Sequence, residues 1–228
     1  MKMNLLTFKH LPIFQQLQLE ESLLRANDEN WVIINQGSPK AIVLGISANA
    51  EEVVNLPLAT KDKIPLIKRF SGGGTVFVDE DTLFVTFIFQ KKSHSFEPFP
   101  KSILDWVGSL FKQTLSLPHF SIKENDFALG EKKVGGNAQY IKKERWLHHT
   151  SFLWDFKKEH MNYLLHPPKE PSYRQKRSHL DFLTTLSPLI SKDLFEERLI
   201  STLSSHFPLS LNPPLPHFSD HRKTTLLL

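Results

Sequence analysis

The chain has 228 residues, with 28 Lys and Arg residues against 24 Asp and Glu residues, and therefore a formal net charge of +4. It has no cysteine, which excludes a disulfide scaffold, a cysteine-ligated zinc or iron–sulfur centre and every mechanism with a thiol nucleophile. No apolar run approaches the roughly 20 residues that span a bilayer, and the N-terminal sequence lacks the features of a signal peptide. The basic residues occur in scattered pairs, unlike the dense stripe of nucleic-acid-binding proteins. We expect a cytoplasmic protein with no nucleic-acid or membrane partner.

The first half of the chain reads as one helix followed by strands. Apolar spacing predicts a helix over 13–27, and β-branched runs at 31–36 and 41–46, separated by a Gly-Ser-Pro turn, predict a β-hairpin. Asn49 is expected to cap a short helix that ends at Val54. Three further strands are predicted at 64–69, 75–79 and 82–90. The last of these is apolar at nearly every position, which indicates burial on both faces.

The second half repeats this order of a helix followed by strands. A helix over 101–115, strands at 121–129, 133–141 and 146–156, a polar loop at 167–176 and a helix over 191–205 are predicted. Because helices and strands do not alternate regularly, we expect an α+β fold with mixed or antiparallel sheets flanked by helices. We expect one domain over 1–228, with its core at about 12–185 and a helix and Pro-rich tail over 186–228.

Glycine is scarce and clustered. Only nine glycines occur, and five of them lie in the two stretches 72–74 and 135–136. Three consecutive glycines lose much conformational entropy when they are ordered, but their backbone N–H groups can approach an anion closely. Arg69, just before the first stretch, adds a charge-assisted partner for phosphate or carboxylate. A flexible hairpin loop is the alternative interpretation.

The second glycine stretch lies near charged and polar residues. Asn125 and Asp126 offer oxygen ligands that suit Mg²⁺, and Lys133 can place an ammonium group against a phosphoryl or carboxylate oxygen. A simple lysine-bearing hairpin is the alternative. His148 and His149 are adjacent on a predicted strand and therefore point to opposite faces, so no metal site is expected there.

A third polar segment, in the loop at 167–176 and just after it, is basic. Tyr173, Arg174, Lys176 and Arg177 are interpreted as solvated surface, with contact to an acidic carrier protein as the alternative.

Several motifs, in this order and spacing, resemble the signatures of the lipoate–protein ligase family, within the biotin/lipoate ligase superfamily. The resemblance covers residues of about 12–185 and rests on the segments KRFSGGGTVFVD, ENDFALGEKKVGGNAQ and RWLHHTSFL. Glu20-Glu21 matches the acidic pair of the first helix of the family, and the segment 45–49 resembles its G-x-x-Q-N turn. Two departures are visible: Val78 stands where the family has a histidine before Asp79, and Gly135-Gly136-Asn137-Ala138 replaces S-G-S-A.

The resemblance implies an activity and partners. Members of this family have a catalytic domain like that of class II aminoacyl-tRNA synthetases. They use ATP to convert lipoate or octanoate to an acyl-adenylate and pass the acyl group to a lysine of a lipoyl carrier domain. The carrier would be a 2-oxo acid dehydrogenase acyltransferase subunit or a glycine cleavage H protein. Single-chain ligases carry a C-terminal accessory domain, which is not expected here, so an accessory domain in trans is an expected partner.

The resemblance also implies roles for individual residues. Arg69 and the backbone of Ser71, Gly72, Gly73 and Gly74 would hold the acyl carboxylate and the adenylate phosphate. Lys133 would neutralise charge on the attacking carboxylate and the α-phosphate, and Asn125 and Asp126 would position Mg²⁺ or the ribose-phosphate. The other residues expected to bind substrate or nucleotide are Asp79, Gly135, Gly136, Asn137, Ala138 and His149.

Other functions are less consistent with the sequence. Octanoyltransferases of the superfamily that need a thiol are excluded because the chain has no cysteine. Biotin ligases carry a different Gly/Arg-rich loop, which is missing from this sequence. A non-catalytic homologue that binds a carrier or an acyl-nucleotide stays open, as does direct acyl transfer from a carrier thioester.

Overall fold

The structure, a computed structural model, describes residues 2–216 and 223–228. Its helices are α1 (Ile13–Ala26), α2 (Ala50–Val53), α3 (Leu56–Lys61), α4 (Pro100–Leu115), α5 (His179–Phe182) and α6 (Lys192–His206). Its strands are β1 (Met3–Lys9), β2 (Asn30–Gln36), β3 (Ala41–Leu44), β4 (Leu66–Lys68), β5 (Val76–Val78), β6 (Thr82–Gln90), β7 (Phe120–Lys123), β8 (Asp126–Leu129), β9 (Lys132–Ile141), β10 (Arg145–Leu153), β11 (Leu209–Leu211) and β12 (Thr225–Leu226). Of the Pro-rich tail, residues 217–222 lie outside the described residues.

The strands form two mixed sheets. The larger sheet has the order β11-β1-β2-β6-β10-β9-β8-β7, and the smaller sheet has the order β12-β4-β3-β5. Parallel pairs join β1 to β2 and β11, and β3 to β4, whereas the other neighbours are antiparallel. This mixture of sheets and helices confirms the predicted α+β class.

The predicted hairpin of 31–36 and 41–46 is wrong. Strand β2 pairs with β1 and β6 in the larger sheet, whereas β3 lies in the smaller sheet. The chain changes sheets at Gly37, which has a φ of +92° and packs against the backbone of Glu80, where the chain crosses back between β5 and β6. Ser38 N–H donates to the Asp79 carbonyl oxygen across these two crossings, at 3.0 Å. The Gly-Ser-Pro segment does turn the chain, but it connects a strand of the larger sheet to a strand of the smaller sheet.

Other predicted elements differ in detail. Strand β1 and helix α3 were not predicted, and the predicted strand 121–129 is the hairpin of β7 and β8, which turns at Glu124 with a φ of +52°. Helices α1, α4 and α6 lie where apolar spacing placed them. Strand β6 is buried from Thr82 to Phe89, as predicted.

The hydrophobic core has layers on both sides of the larger sheet. Helices α4 and α6 cover one face with an aromatic cluster around Phe111 and Phe195. Helix α1 covers the other face, and its Ile13 and Leu17 pack against Val43 of the smaller sheet and Phe84 of the larger one. Helix α1 therefore contacts both sheets, and the same two side chains line the cavity described below. None of the helices within 2–216 and 223–228 is long and apolar enough to cross a membrane.

Candidate functional site

A cavity of about 610 Å³ lies between the two sheets and is lined by Gly73 and Gly74 of the first glycine stretch and by Gly136 of the second. Its polar wall holds Arg69, Gly73, Gly74, Asn125, Asp126, Lys133, Gly136, Asn137, Ala138 and His149. Its apolar wall includes Ile13, Leu17, Val43, Val76, Phe77, Val78, Phe84, Leu153 and Met161. Residues that are more than 60 positions apart in the sequence therefore line one cavity.

The Gly72–Gly74 loop is shaped from within by Arg69. The Arg69 guanidinium is buried and donates to the carbonyl oxygens of Gly72 and Gly74, at 2.9 and 2.8 Å. Burial lowers the pKa of Arg69 to about 10, and the nearby charge of Glu20 partly offsets this. Arg69 lines the cavity, but its bonds to these carbonyl groups make it a support of the loop as well as a candidate anion ligand.

Two glycines are required by this loop. Gly73 has a φ of +111°, and a Cβ there would lie 2.7 Å from an Arg69 guanidinium nitrogen. Gly45 packs so closely beneath the loop that its Cβ would lie 2.2 Å from the carbonyl oxygen of Gly73. Close packing within the stretch is confined to Gly73, because a Cβ on Gly72 or Gly74 would meet no atom within 4 Å. The hairpin interpretation is wrong because β4 and β5, on either side of the stretch, both pair with β3 and not with each other.

Lys133 enters the cavity from β9. Its Nζ lies 2.7 Å from Asp126 Oδ1 on β8, and both side chains are mostly buried. A Cβ on Gly136 would lie 3.4 Å from the same Nζ, so the missing side chain gives the lysine room along the strand. The carbonyl oxygen of Lys133 accepts a 2.8 Å hydrogen bond from Thr184 N–H, which fixes the backbone that carries the ammonium group.

Gly135 has a different role from Gly136. It lies outside the cavity wall, and a Cβ there would meet the ring of Phe152 at 2.9 Å and Phe127 at 3.4 Å. Its lack of a side chain therefore lets β9 pack onto the aromatic core.

Asn137 links β9 to two neighbouring elements. Its Oδ1 accepts from Thr150 Oγ1 at 2.8 Å and lies 3.1 Å from His148 Nε2, and its Nδ2 donates to the Asn125 carbonyl oxygen at 2.9 Å. Burial, with His149 adding to the effect, lowers the pKa of His148 to about 3. His148 is therefore neutral, and this network assigns its proton to Nε2, which donates to Asn137. Asn137 is in this way held rigidly beside Asn125.

His149 points to the opposite face of β10, as strand geometry predicts. Its Nδ1 lies 2.9 Å from Glu20 Oε1, which also accepts from Thr86 Oγ1 at 2.7 Å and from Gln16 Nε2 at 2.8 Å. Glu20 is fully buried, and its other carboxylate oxygen has no partner among the described residues. A buried carboxylate thus orients the imidazole of His149 in the cavity wall.

Three more of the predicted binding residues, Ser71, Gly72 and Asp79, also lie outside the cavity wall. Asp79 Oδ2 lies 2.9 Å from His160 Nδ1, and its Oδ1 accepts from Asp81 N–H. The Ser71 carbonyl oxygen accepts from Ile46 N–H at 3.0 Å. Ser71 and Asp79 therefore support the surrounding loops, and Val78 lines the cavity in place of the expected histidine.

Asp126 does not fit the predicted role of a Mg²⁺ ligand. One carboxylate oxygen faces Lys133, and the other accepts a 2.9 Å hydrogen bond from Tyr173 Oη. In the part of the chain that the structure describes, no group of three or more Asp, Glu or His side chains is placed to hold a metal ion. Both carboxylate oxygens of Asp126 therefore have protein partners.

The loop after residue 164 closes one side of the cavity, which the sequence did not predict. Leu165, Glu170 and Arg174 line the cavity. Arg174 is buried, with Nε 3.4 Å from Glu170 Oε2 and its guanidinium over the ring of Phe182 at 5.0 Å. The interpretation of this segment as solvated surface is wrong for Arg174. The available signal was a tyrosine and an arginine shortly after the three prolines of this loop, the last of which is Pro171.

The family of the chain is shown by comparison. A model of the lipoyl protein ligase A/B catalytic domain matches residues 12–208. The chain belongs to this family. A protein of Plasmodium falciparum named inactive lipoate–protein ligase 2 is 31% identical, over 87% of this chain and 69% of that protein. A lipoate-protein ligase A of Blochmanniella floridana is 29% identical, over 84% of this chain but only 58% of its own length.

Solved structures of such ligases share the fold. A lipoate-protein ligase A bound with ATP has a TM-score of 0.77 at 21% identity, with coverage of 93% of this chain and 89% of that one. A bipartite lipoate protein ligase of Thermoplasma acidophilum has the same TM-score at 20% identity, with 93% and 88% covered. The ligase-type fold predicted from the motifs is confirmed.

Proposed function

We propose that this chain is the catalytic domain of a lipoate–protein ligase, which uses ATP to activate lipoate or octanoate and transfers the acyl group to a lysine of a lipoyl carrier domain. The observation that carries this proposal is the position of Lys133. Its ammonium group lies in the same cavity wall as the backbone of Gly73 and Gly74, and such groups together stabilise developing negative charge.

In the first step, a carboxylate oxygen of the fatty acid attacks the α-phosphorus of ATP. The bond from this phosphorus to the bridging oxygen of the β-phosphate breaks, and pyrophosphate leaves. Negative charge grows on the α-phosphate oxygens, and Lys133 stabilises it electrostatically. In doing so the ammonium group exchanges or shares its 2.7 Å contact with Asp126.

In the second step, the ε-amine of the carrier lysine attacks the acyl carbonyl carbon, its proton is lost to solvent, and AMP leaves. No covalent enzyme intermediate is needed, which agrees with a chain that has no cysteine.

The apolar wall of the cavity is the proposed site for the acyl chain. Burial of hydrocarbon contributes about 25 cal/mol per Å², and Leu17, Val43 and Phe84 offer such a surface between the sheets. Asn125, Gly136, Asn137, Ala138 and His149 are the remaining proposed contacts to the nucleotide or the acid.

We propose two partners. The carrier is the lipoyl domain of a 2-oxo acid dehydrogenase acyltransferase subunit or a glycine cleavage H protein, as the family resemblance implies. A ligase accessory domain acting in trans is the second, because the structurally similar lipoate protein ligase of T. acidophilum is bipartite. The whole of 1–228 would then serve as the catalytic part.

Pyrophosphate exchange with ATP, Mg²⁺ and lipoate tests this function. We expect the wild type to catalyse exchange, either alone or once an accessory domain is added. In Lys133→Ala the exchange rate should fall about 100-fold or more, because one preorganised charge partner is typically worth this much. Lys132→Ala is the matched control, since this adjacent lysine is exposed and outside the cavity. Absence of exchange under all of these conditions contradicts the proposal.

A non-catalytic homologue is the second candidate. It is favoured by the P. falciparum relative that is named inactive and by Val78 in place of the family histidine. Such a protein would bind lipoate or the lipoyl domain, measured by calorimetry, and would show no exchange. Because the wild type would then catalyse no exchange, Lys133→Ala would not lower the exchange rate.

A further inference from the structure

A hydrogen-bonded chain connects the loop over the cavity to Lys133. Tyr173 Oη donates to Asp126 Oδ2 at 2.9 Å, and Asp126 Oδ1 lies 2.7 Å from Lys133 Nζ. Tyr173 itself is outside the cavity wall. It therefore reaches the lysine only through Asp126.

The position of Tyr173 is fixed by the turn that carries it. Tyr173 belongs to a 3₁₀ turn, Ser172–Arg174, whose N-terminal N–H groups face Glu124. The Glu124 carboxylate accepts from Ser172 N–H at 2.6 Å and from the hydroxyl of Ser172, and these bonds lower the pKa of Glu124. The turn is therefore docked onto the hairpin that carries Asp126.

Lys133 is not the only cation near Asp126 among the described residues. Arg174, on the same segment as Tyr173, also interacts electrostatically with the Asp126 carboxylate. A carboxylate between two cations is attracted towards both and is not oriented by charge alone. A neutral donor on one oxygen removes this freedom and leaves the other oxygen for Lys133.

The Tyr173 hydroxyl remains such a donor over the whole physiological pH range. Burial raises the pKa of Tyr173 well above its ordinary value, and the charge of Asp126 and the hydrogen bond to it raise it further. An ionised phenolate cannot donate, so this shift favours a permanent hydrogen bond.

We propose that Tyr173 is a positioning residue for Lys133: by holding Asp126 Oδ2, it directs Oδ1 to the lysine and aims the ammonium group into the cavity. The positioning of Lys133 by Tyr173 is argued from these contacts alone. The effect of this positioning on adenylation rests on the proposed function.

Competitive labelling of amines tests the geometric part without any activity. The intact protein is treated with trace isotope-labelled acetic anhydride, and fragment ions give the ratio of labelling at Lys133 to that at exposed Lys132. A carboxylate contact that holds the ammonium form slows acetylation, because only an uncharged amine attacks the anhydride. We expect Asp126→Asn to raise the ratio most and Tyr173→Phe to raise it about fivefold, the effect of one net hydrogen bond.

Tyr163→Phe is the matched control, because Tyr163 makes the same kind of bond to Asp62, at 2.7 Å, away from Lys133. It should leave the ratio unchanged. An unchanged ratio in folded Tyr173→Phe overturns the proposal, and so does an unchanged ratio in Asp126→Asn. If Tyr173→Phe fails to fold, Glu124→Ala, which undocks the turn, must raise the ratio or the proposal is wrong.

Exchange kinetics then test the catalytic part. In Tyr173→Phe we expect kcat to fall several-fold with KM for lipoate unchanged, because the acyl chain binds to the apolar wall. If KM rises instead and kcat is unchanged, Tyr173 does not act through Lys133. If the wild type itself has no exchange activity, the proposed function fails, while the labelling ratio still decides whether Tyr173 positions Lys133.

Discussion

The two glycine stretches of this protein look alike in the sequence but serve different purposes. The stretch 72–74 forms a loop whose backbone is bent at Gly73 and packed against Arg69 and Gly45. The stretch 135–136 lies in strand β9, beside a shift in the register of β9 against β8, and Gly135 leaves room for the ring of Phe152.

The difference shows two physical reasons for a missing side chain near a ligand cavity. At Gly73 the backbone conformation itself excludes other residues, since φ is +111°. At Gly135 and Gly136 the conformation is ordinary and only space is limiting, from an aromatic ring on one face and a lysine on the other. Substitutions at these glycines should therefore lower the free energy of unfolding by different amounts.

The largest effect is expected at Gly73. Gly73→Ala combines an unfavourable φ with a Cβ 2.7 Å from Arg69, so we expect a loss of about 3 kcal/mol or more in the free energy of unfolding. Chemical denaturation followed by circular dichroism measures this. Gly72→Ala is the control, because no atom lies within 4 Å of its Cβ position, and it should change stability by less than about 0.5 kcal/mol. Equal effects at both positions would contradict a loop defined by Gly73.

A smaller effect is expected at Gly135. Gly135→Ala places a Cβ 2.9 Å from the Phe152 ring, and overpacking of this kind costs about 1–3 kcal/mol. Gly136→Ala meets Lys133 Nζ only at 3.4 Å, so its cost should stay below about 1 kcal/mol. The same denaturation experiment compares the two neighbours. A larger loss of stability in Gly136→Ala than in Gly135→Ala would contradict the assignment of the crowded aromatic face to Gly135 and the roomier lysine face to Gly136.

Local sequence pattern was sufficient for the longest helices and for the buried strand β6, but it missed β1 and α3 and did not predict how the strands pair. The apolar stripe of α4 and the nearly continuous apolar run of β6 predicted both elements. The pairing of β2 with β3 was wrong because periodicity does not reveal which sheet a strand joins. The bond from Ser38 to Asp79, which joins the two crossings, depends on residues 41 positions apart.

The candidate site was predictable to the extent that motifs carried it. Lys133 and the glycine loop were found from their order and spacing, and the structure places both in one cavity. Asp126 was assigned to a metal because an acidic residue beside an asparagine gives no sign of its own partners. Those partners, Lys133 and Tyr173, come from a neighbouring strand and a distant loop, so only the folded chain reveals them.

The central claim is that the two glycine stretches lie in the walls of one adenylate-binding site. A crystal structure of the chain with ATP and lipoate tests it most directly. The claim predicts an α-phosphate within hydrogen-bond distance of the Gly73 or Gly74 N–H groups and of Lys133 Nζ, with the acyl chain against Leu17 and Phe84. A nucleotide bound outside this cavity, or Lys133 turned away from the phosphate, would contradict it.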